Sequence, residues 1–171
     1  MKTLQPLILT ARIADPDLAP FQTLRQQNFP AGRNFLRAHL TMFHRLSGEY
    51  RAQIDRIIDD IAAERISFCA NVASVRHLGA GVAFVIESTQ LQDVHARFRS
   101  RFMSWLGGQD MQIWKPHITI QNKVSRQEAD TLHKRLSETF QSTKIEVTGV
   151  DLWRYLGGPW QHERSALFQA R

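Results

Sequence analysis

His117-Ile118-Thr119-Ile120 alternates polar and apolar side chains, and it repeats a pattern set earlier in the chain by His39-Leu40-Thr41-Met42. Alternation with a period of two predicts a strand at each place, over residues 36–43 and 117–122. On a strand, residues i and i+2 project from one face. His39 and Thr41 then share a face, as do His117 and Thr119, while Leu40, Met42, Ile118 and Ile120 enter the core. The same parity adds a cation two residues before each histidine, Arg37 and Lys115, and Phe43 continues the first face, where it is placed to stack on a base. Pro116 favours a strand that begins at the second motif.

The surrounding elements fall into two similar series. Leu7–Ile13 is an apolar run suited to a first strand, residues 17–29 are helix-like, and Pro30-Ala31-Gly32 marks a turn. After the first motif, Tyr50, Ile54, Ile57, Ile58 and Ile61 form one face of a helix. Strand-like runs at 67–76 and 81–87 follow, joined as a hairpin by Gly79-Ala80-Gly81. A second helix over 90–106 carries Leu91, Val94, Phe98, Phe102 and Trp105 on its stripe. After the second motif, Ser125 and Glu128 make a capping box that opens a helix with Ala129, Leu132, Leu136 and Phe140 on one face. Strands over 144–155 and 163–169 flank Gly157-Gly158-Pro159, with a bulge at Gly149.

Strand, helix, strand, strand follows each motif. His39 and Phe68 stand 29 positions apart, His117 and Ile145 28. This spacing predicts an internal duplication within one domain over 1–171, its halves at about 1–88 and 89–171. The expected fold is α+β: two pseudo-symmetric lobes, with antiparallel sheets lining a central cleft and helices outside.

The 171-residue chain carries a formal charge of +6, which favours anionic partners, phosphates among them. It has no dense Lys/Arg run, so recognition of a DNA sequence is not expected. Cys69 has no cysteine to pair with and reads as a buried structural thiol. The N-terminal stretch lacks the small-residue cleavage site of a signal peptide. No apolar run is long enough to cross a membrane. The expected protein is cytoplasmic and monomeric.

Two imidazoles and two hydroxyls facing one cleft suit phosphodiester chemistry. With a pKa near neutrality, one neutral His can accept a proton and one protonated His can donate one. Thr hydroxyls can hydrogen-bond non-bridging oxygens as charge builds on them. His44 makes a zinc site with His39 and His117 conceivable, but no metal-ligand spacing supports it, and no metal or other cofactor is expected. His95 and His133, on helices, are expected at the surface. Trp114, Trp153, Tyr155 and Trp160 are candidates either for a base pocket or for packing.

With its two His-x-Thr-apolar motifs half a chain apart, the sequence resembles the 2H phosphoesterase superfamily. Pro116-His117-Ile118-Thr119-Ile120 looks like the second motif of bacterial members labelled 2'-5' RNA ligase or RNA 2',3'-cyclic phosphodiesterase. The resemblance implies that His39 and His117 are acid and base, that Thr41 and Thr119 bind phosphate, and that no metal is needed. The implied activity is opening of a cyclic phosphodiester, such as the 2',3'-cyclic phosphate of a nucleotide or an RNA terminus. A module that binds such an end without turnover, and a 2'-5' RNA ligase, would use the same residues. Family members often carry a basic residue soon after the second motif; here the order is Gln121-Asn122-Lys123.

Overall fold

A computed structural model describes residues 4–171. Strands β1 (Leu7–Ile13), β2 (Leu40–Leu46), β3 (Phe68–His77), β4 (Val82–Glu87), β5 (His117–Gln121), β6 (Thr143–Tyr155) and β7 (Trp160–Leu167) form one sheet. Helices α1 (Asp15–Asn28), α2 (Arg51–Ala63), α3 (Thr89–Phe102) and α4 (Arg126–Thr139) pack around it. The strand order is β2-β1-β6-β3-β4-β5, with β7 paired to β6, and every pairing is antiparallel. This is the expected α+β fold, built on a single continuous sheet. Among the described residues no helix is long and apolar enough to cross a membrane.

The strand order is palindromic. Exchanging β1 with β4, β2 with β5 and β3 with β6 leaves it unchanged. The matching units are β1-α1-β2-α2-β3 and β4-α3-β5-α4-β6, which meet in the turn at residues 78–81 rather than near 88. Each motif strand lies at one end of the order. The sheet curls until those two ends, β2 and β5, come back into contact, and this brings the motifs together.

The helix stripes fold as the periodicity predicts. Ile54, Ile57, Ile58 and Ile61 of α2 and Leu91, Val94 and Phe98 of α3 are buried in one core with the sheet. Ser125 caps α4 reciprocally with Glu128. The α3 stripe ends in a 3-10 turn, Met103–Trp105, where Trp105 stacks on Tyr50 at 4.9 Å. The bulge near Gly149 is present: Arg12 pairs Gly149 and Ile13 pairs Val147, so Thr148 is the extra residue. A Cβ on Gly149 would lie 2.2 Å from the Ala166 carbonyl oxygen, so β7 packs against a position with no side chain. β7 starts at Trp160, earlier than expected, because Tyr155 pairs directly with Trp160 across the turn. Cys69 is half-buried rather than buried.

Two expectations fail here for one reason. β2 does not keep its alternation. Thr10 pairs Thr41, but Leu9 pairs Phe43, so Met42 is an extra residue. A bulge of this kind reverses the parity of the residues that follow it, here as far as a second register shift before Leu46. Phe43 therefore turns into the core, fully buried, and offers no surface to a base. His44 is brought toward the motifs instead. The face expected for Phe43 is filled by a histidine.

Candidate active site

His39 lies just before β2, anchored from outside the sheet. The Ala38 amide donates to the Gln22 side-chain oxygen on α1 at 2.6 Å. His39 Nδ1 lies 2.6 Å from the Arg37 carbonyl, and His117 Nδ1 lies 2.8 Å from the Lys115 carbonyl. A carbonyl only accepts, so each Nδ1 must carry its proton. Each Nε2 is thereby left as the nitrogen that gains or loses one. The same device is built twice, from residues i and i−2. Arg37 and Lys115 thus contribute their carbonyls, while their side chains are exposed at the rims of the cavities beside His39 and His117. Thr41 and Thr119 are half-buried, next in parity to each histidine.

Both imidazoles are hard to protonate. Burial lowers the His39 pKa to about 4, against the opposing pull of the Arg37 carbonyl; the charges of Arg25, His117 and His44 lower it further. Burial also lowers the pKa of His117, aided by Arg76 and His44 and opposed by the Lys115 carbonyl. These groups act on one another because they converge: two histidines, a third from the bulge, and two guanidiniums share one field.

Three neighbours, Arg25, Asp110 and Arg76, escape sequence reading, and His44 is legible there only as a candidate zinc ligand. Arg25 is 3% exposed and has no ion-pair partner among the described residues. Its Nε donates to the Asn34 side chain at 2.9 Å and another guanidinium nitrogen to the Thr119 carbonyl at 3.0 Å, with the guanidinium 4.1 Å over the Phe29 ring. Burial lowers its pKa to about 10, so it stays charged at neutral pH. A cation beside the second motif is therefore present, but it comes from α1; Lys123 is exposed in a turn with φ of 60°. The only local hint was that Arg25 falls four residues after the buried Phe21, on the inward face of α1.

His44 is held by Asp110, from the loop before β5. The buried carboxylate accepts the amides of His44 at 2.8 Å and Arg45 at 2.9 Å, and His44 Nδ1 at 3.0 Å. Burial by itself would raise the pKa of Asp110, and these hydrogen bonds outweigh it, so the net shift is downward. Arg76, on β3, borders the cavity that holds Thr41, His44 and His117, about 230 Å³ in volume. His39, His44 and His117 make no metal cluster: among the described residues no three such side chains are placed to hold an ion.

The aromatics divide. Trp160 packs on the His39 ring, with centroids 4.7 Å apart. Trp153 donates to the Thr10 hydroxyl at 2.9 Å and packs behind Trp160. His95 is buried, contrary to its expected surface position, because Phe43 and Trp114 enclose it.

Arg25→Gln is expected to raise the His39 titration midpoint, because removing a nearby positive charge favours the imidazolium. Histidine ring shifts followed by NMR across pH 3–8 measure it. An unmoved midpoint would show that Arg25 does not act on His39.

The sequence profile of the 2'-5' RNA ligase superfamily matches residues 13–159. Among solved structures, TT0787 of Thermus thermophilus superposes with a TM-score of 0.70 at 13% identity, covering 97% of this chain and 99% of that one. Escherichia coli LigT in its apo form gives 0.65 at 14% identity, covering 98% and 99%. LigT complexed with 3'-AMP gives 0.64 at 15% identity, covering 96% and 98%. These likenesses are of fold. Among curated proteins no sequence relative is found.

Proposed function

The chain belongs to the 2'-5' RNA ligase superfamily, and from that premise we propose that it is a metal-independent phosphoesterase opening 2',3'-cyclic phosphates of nucleotides or RNA ends. The observation that carries this reading is the matched pair of imidazoles, each with Nδ1 donating to the carbonyl two residues back and Nε2 left to move a proton. LigT has been crystallised with 3'-AMP and with ATP, so a protein of this fold accepts nucleotides.

In this mechanism the phosphodiester lies between the motifs. The neutral imidazole takes a proton from water as its oxygen bonds to phosphorus. The protonated imidazole gives its Nε2 proton to the ribose oxygen as that P–O bond breaks. The product is a phosphomonoester on one ribose oxygen with a hydroxyl on the other. The two histidines end with their protonation exchanged, and solvent resets them. Thr41 and Thr119 donate to the non-bridging oxygens, while Arg25 and Arg76 supply positive potential.

The lowered histidine pKa values have a consequence. In the free protein the base must be neutral and the acid protonated, and kcat/KM tracks that population. With His39 at about 4 and His117 also lowered, kcat/KM should peak on the acid side of 6.5 and fall as pH rises through neutrality. A bound phosphate anion favours both imidazolium forms, so the kcat profile should lie at higher pH. Rate profiles with 2',3'-cyclic AMP check this; a kcat/KM optimum above 7 would contradict it.

The deciding experiment is a screen of 2',3'-cyclic nucleotides and cyclic-phosphate-ended oligonucleotides with and without EDTA, identifying 2'- or 3'-phosphate products. Turnover unaffected by EDTA is the expected result. Tight binding with no product would favour a binding module, and joining of ends through a 2'-5' bond would favour a ligase.

A further inference from the structure

Phe43, His95 and Trp114 form a stack of three nearly parallel rings. Phe43 and His95 are 4.6 Å apart at 3°, and His95 and Trp114 are 4.1 Å apart at 7°. Phe43 is the buried end, and Trp114 is the half-buried outer end. The stack is fixed at each ring. Trp114 Nε1 donates to the Thr41 carbonyl at 3.0 Å, and His95 Nε2 lies 3.2 Å from the Met42 carbonyl. Burial also holds His95 neutral, with a pKa of about 4.

A cavity of about 610 Å³ borders Trp114, between the end of β4 and the start of α3. It shares Trp114, Arg76 and Lys115 with the smaller cavity that contains Thr41 and His117. The larger volume is that of a small-ligand pocket; the smaller one suits a phosphate. Val85, Ile86 and Pro116 make much of its wall apolar, and Glu87 places a carboxylate there. That carboxylate disfavours a second phosphate and can accept from the amino or ring N–H groups of a base.

Resting on the cyclic-phosphate reading above, we propose that this cavity is a nucleobase subsite. The base of the nucleotide whose phosphate lies in the smaller cavity, beside His117 and Thr41, stacks on Trp114 as the fourth ring of the series. The nucleoside then lies on the His117 side of the cleft, with Arg76 and Lys115 at the junction of base and phosphate. Stacking on a pre-positioned indole adds affinity for any base, because every base presents a π-face.

The test compares adenosine 2'-monophosphate with the 2'-phosphate of methyl riboside, which lacks the base, by titration of the whole protein. In the wild type the nucleotide should bind about tenfold or more tighter. Trp114→Leu should bring the two Kd values together, while Trp114→Phe should keep most of the difference despite losing the bond to Thr41. A merely structural role for Trp114 would weaken both ligands alike. A wild-type ratio near one, or a ratio untouched by Trp114→Leu, overturns the subsite. Should Trp114→Leu not fold, NOE contacts between the base protons and the Trp114 ring in the wild-type complex decide, and their absence overturns it. The measurement is one of binding, so it stands apart from turnover. Retained base preference without opening of any cyclic phosphate would sink the reaction and leave the subsite. Turnover of both base-bearing and base-less cyclic phosphates with a binding ratio near one would do the reverse.

Discussion

Alanine at His39 or at His117 is expected to lower kcat on a 2',3'-cyclic phosphate by about 10²- to 10⁴-fold, the usual worth of one positioned proton-transfer group. Neither imidazole supports the fold through its Nε2. Each makes its one hydrogen bond through Nδ1 to a carbonyl of its own segment, so the loss should appear in rate more than in stability. The two losses should be similar in size, because the groups are built alike. The double variant should be little worse than either single one, since the pair works as a unit and removing one member already forfeits concerted proton transfer. Binding of inorganic phosphate should survive both changes, as Thr41, Thr119 and the guanidiniums remain. Single-turnover rates, with thermal unfolding as a control, measure all of this. Full activity in His39→Ala would remove His39 from the mechanism.

Phe43→Ala should destabilise the protein by about 3–5 kcal/mol, the range for deleting a buried aromatic ring. Phe43 has no exposed surface and meets Phe102 edge-on at 5.3 Å as well as stacking on His95. Its removal opens a cavity beneath the His95–Trp114 stack, and α3 cannot close on it while Phe98 and Phe102 are packed against the sheet. Urea unfolding should show a lower midpoint with little change in slope. Had Phe43 stood on the cleft face, as simple alternation predicts, the same substitution would raise KM and leave stability nearly untouched. The two outcomes are cleanly separable.

Phe43 also marks where local sequence pattern stops being informative. Period-two alternation at 117–120, the isoleucine stripe of α2 and the Ser125–Glu128 box are relations between near neighbours along the chain, and each is realised. They locate His39, Thr41, His117 and Thr119, and the repeated order around them predicts an α+β fold with antiparallel strands. The bulge at Met42 is of another kind. It arises from how β2 pairs with β1, a strand far back in the chain, and one inserted residue exchanges the faces of Phe43 and His44.

The two His-x-Thr motifs and the kinds of element around them were determined by the sequence itself, because hydrophobic periodicity and capping act within one or two turns of chain. Even so, β2 starts at Leu40 rather than near 36 and leaves His39 just outside it. What surrounds those motifs was decided only by the tertiary structure. Arg25 reaches Thr119 from α1, Asp110 holds His44 across 66 positions, and Trp114 closes a stack begun by Phe43. These contacts form because a curled sheet brings its two end strands together. Charge and burial then act through space, where spacing along the chain gives no measure of distance.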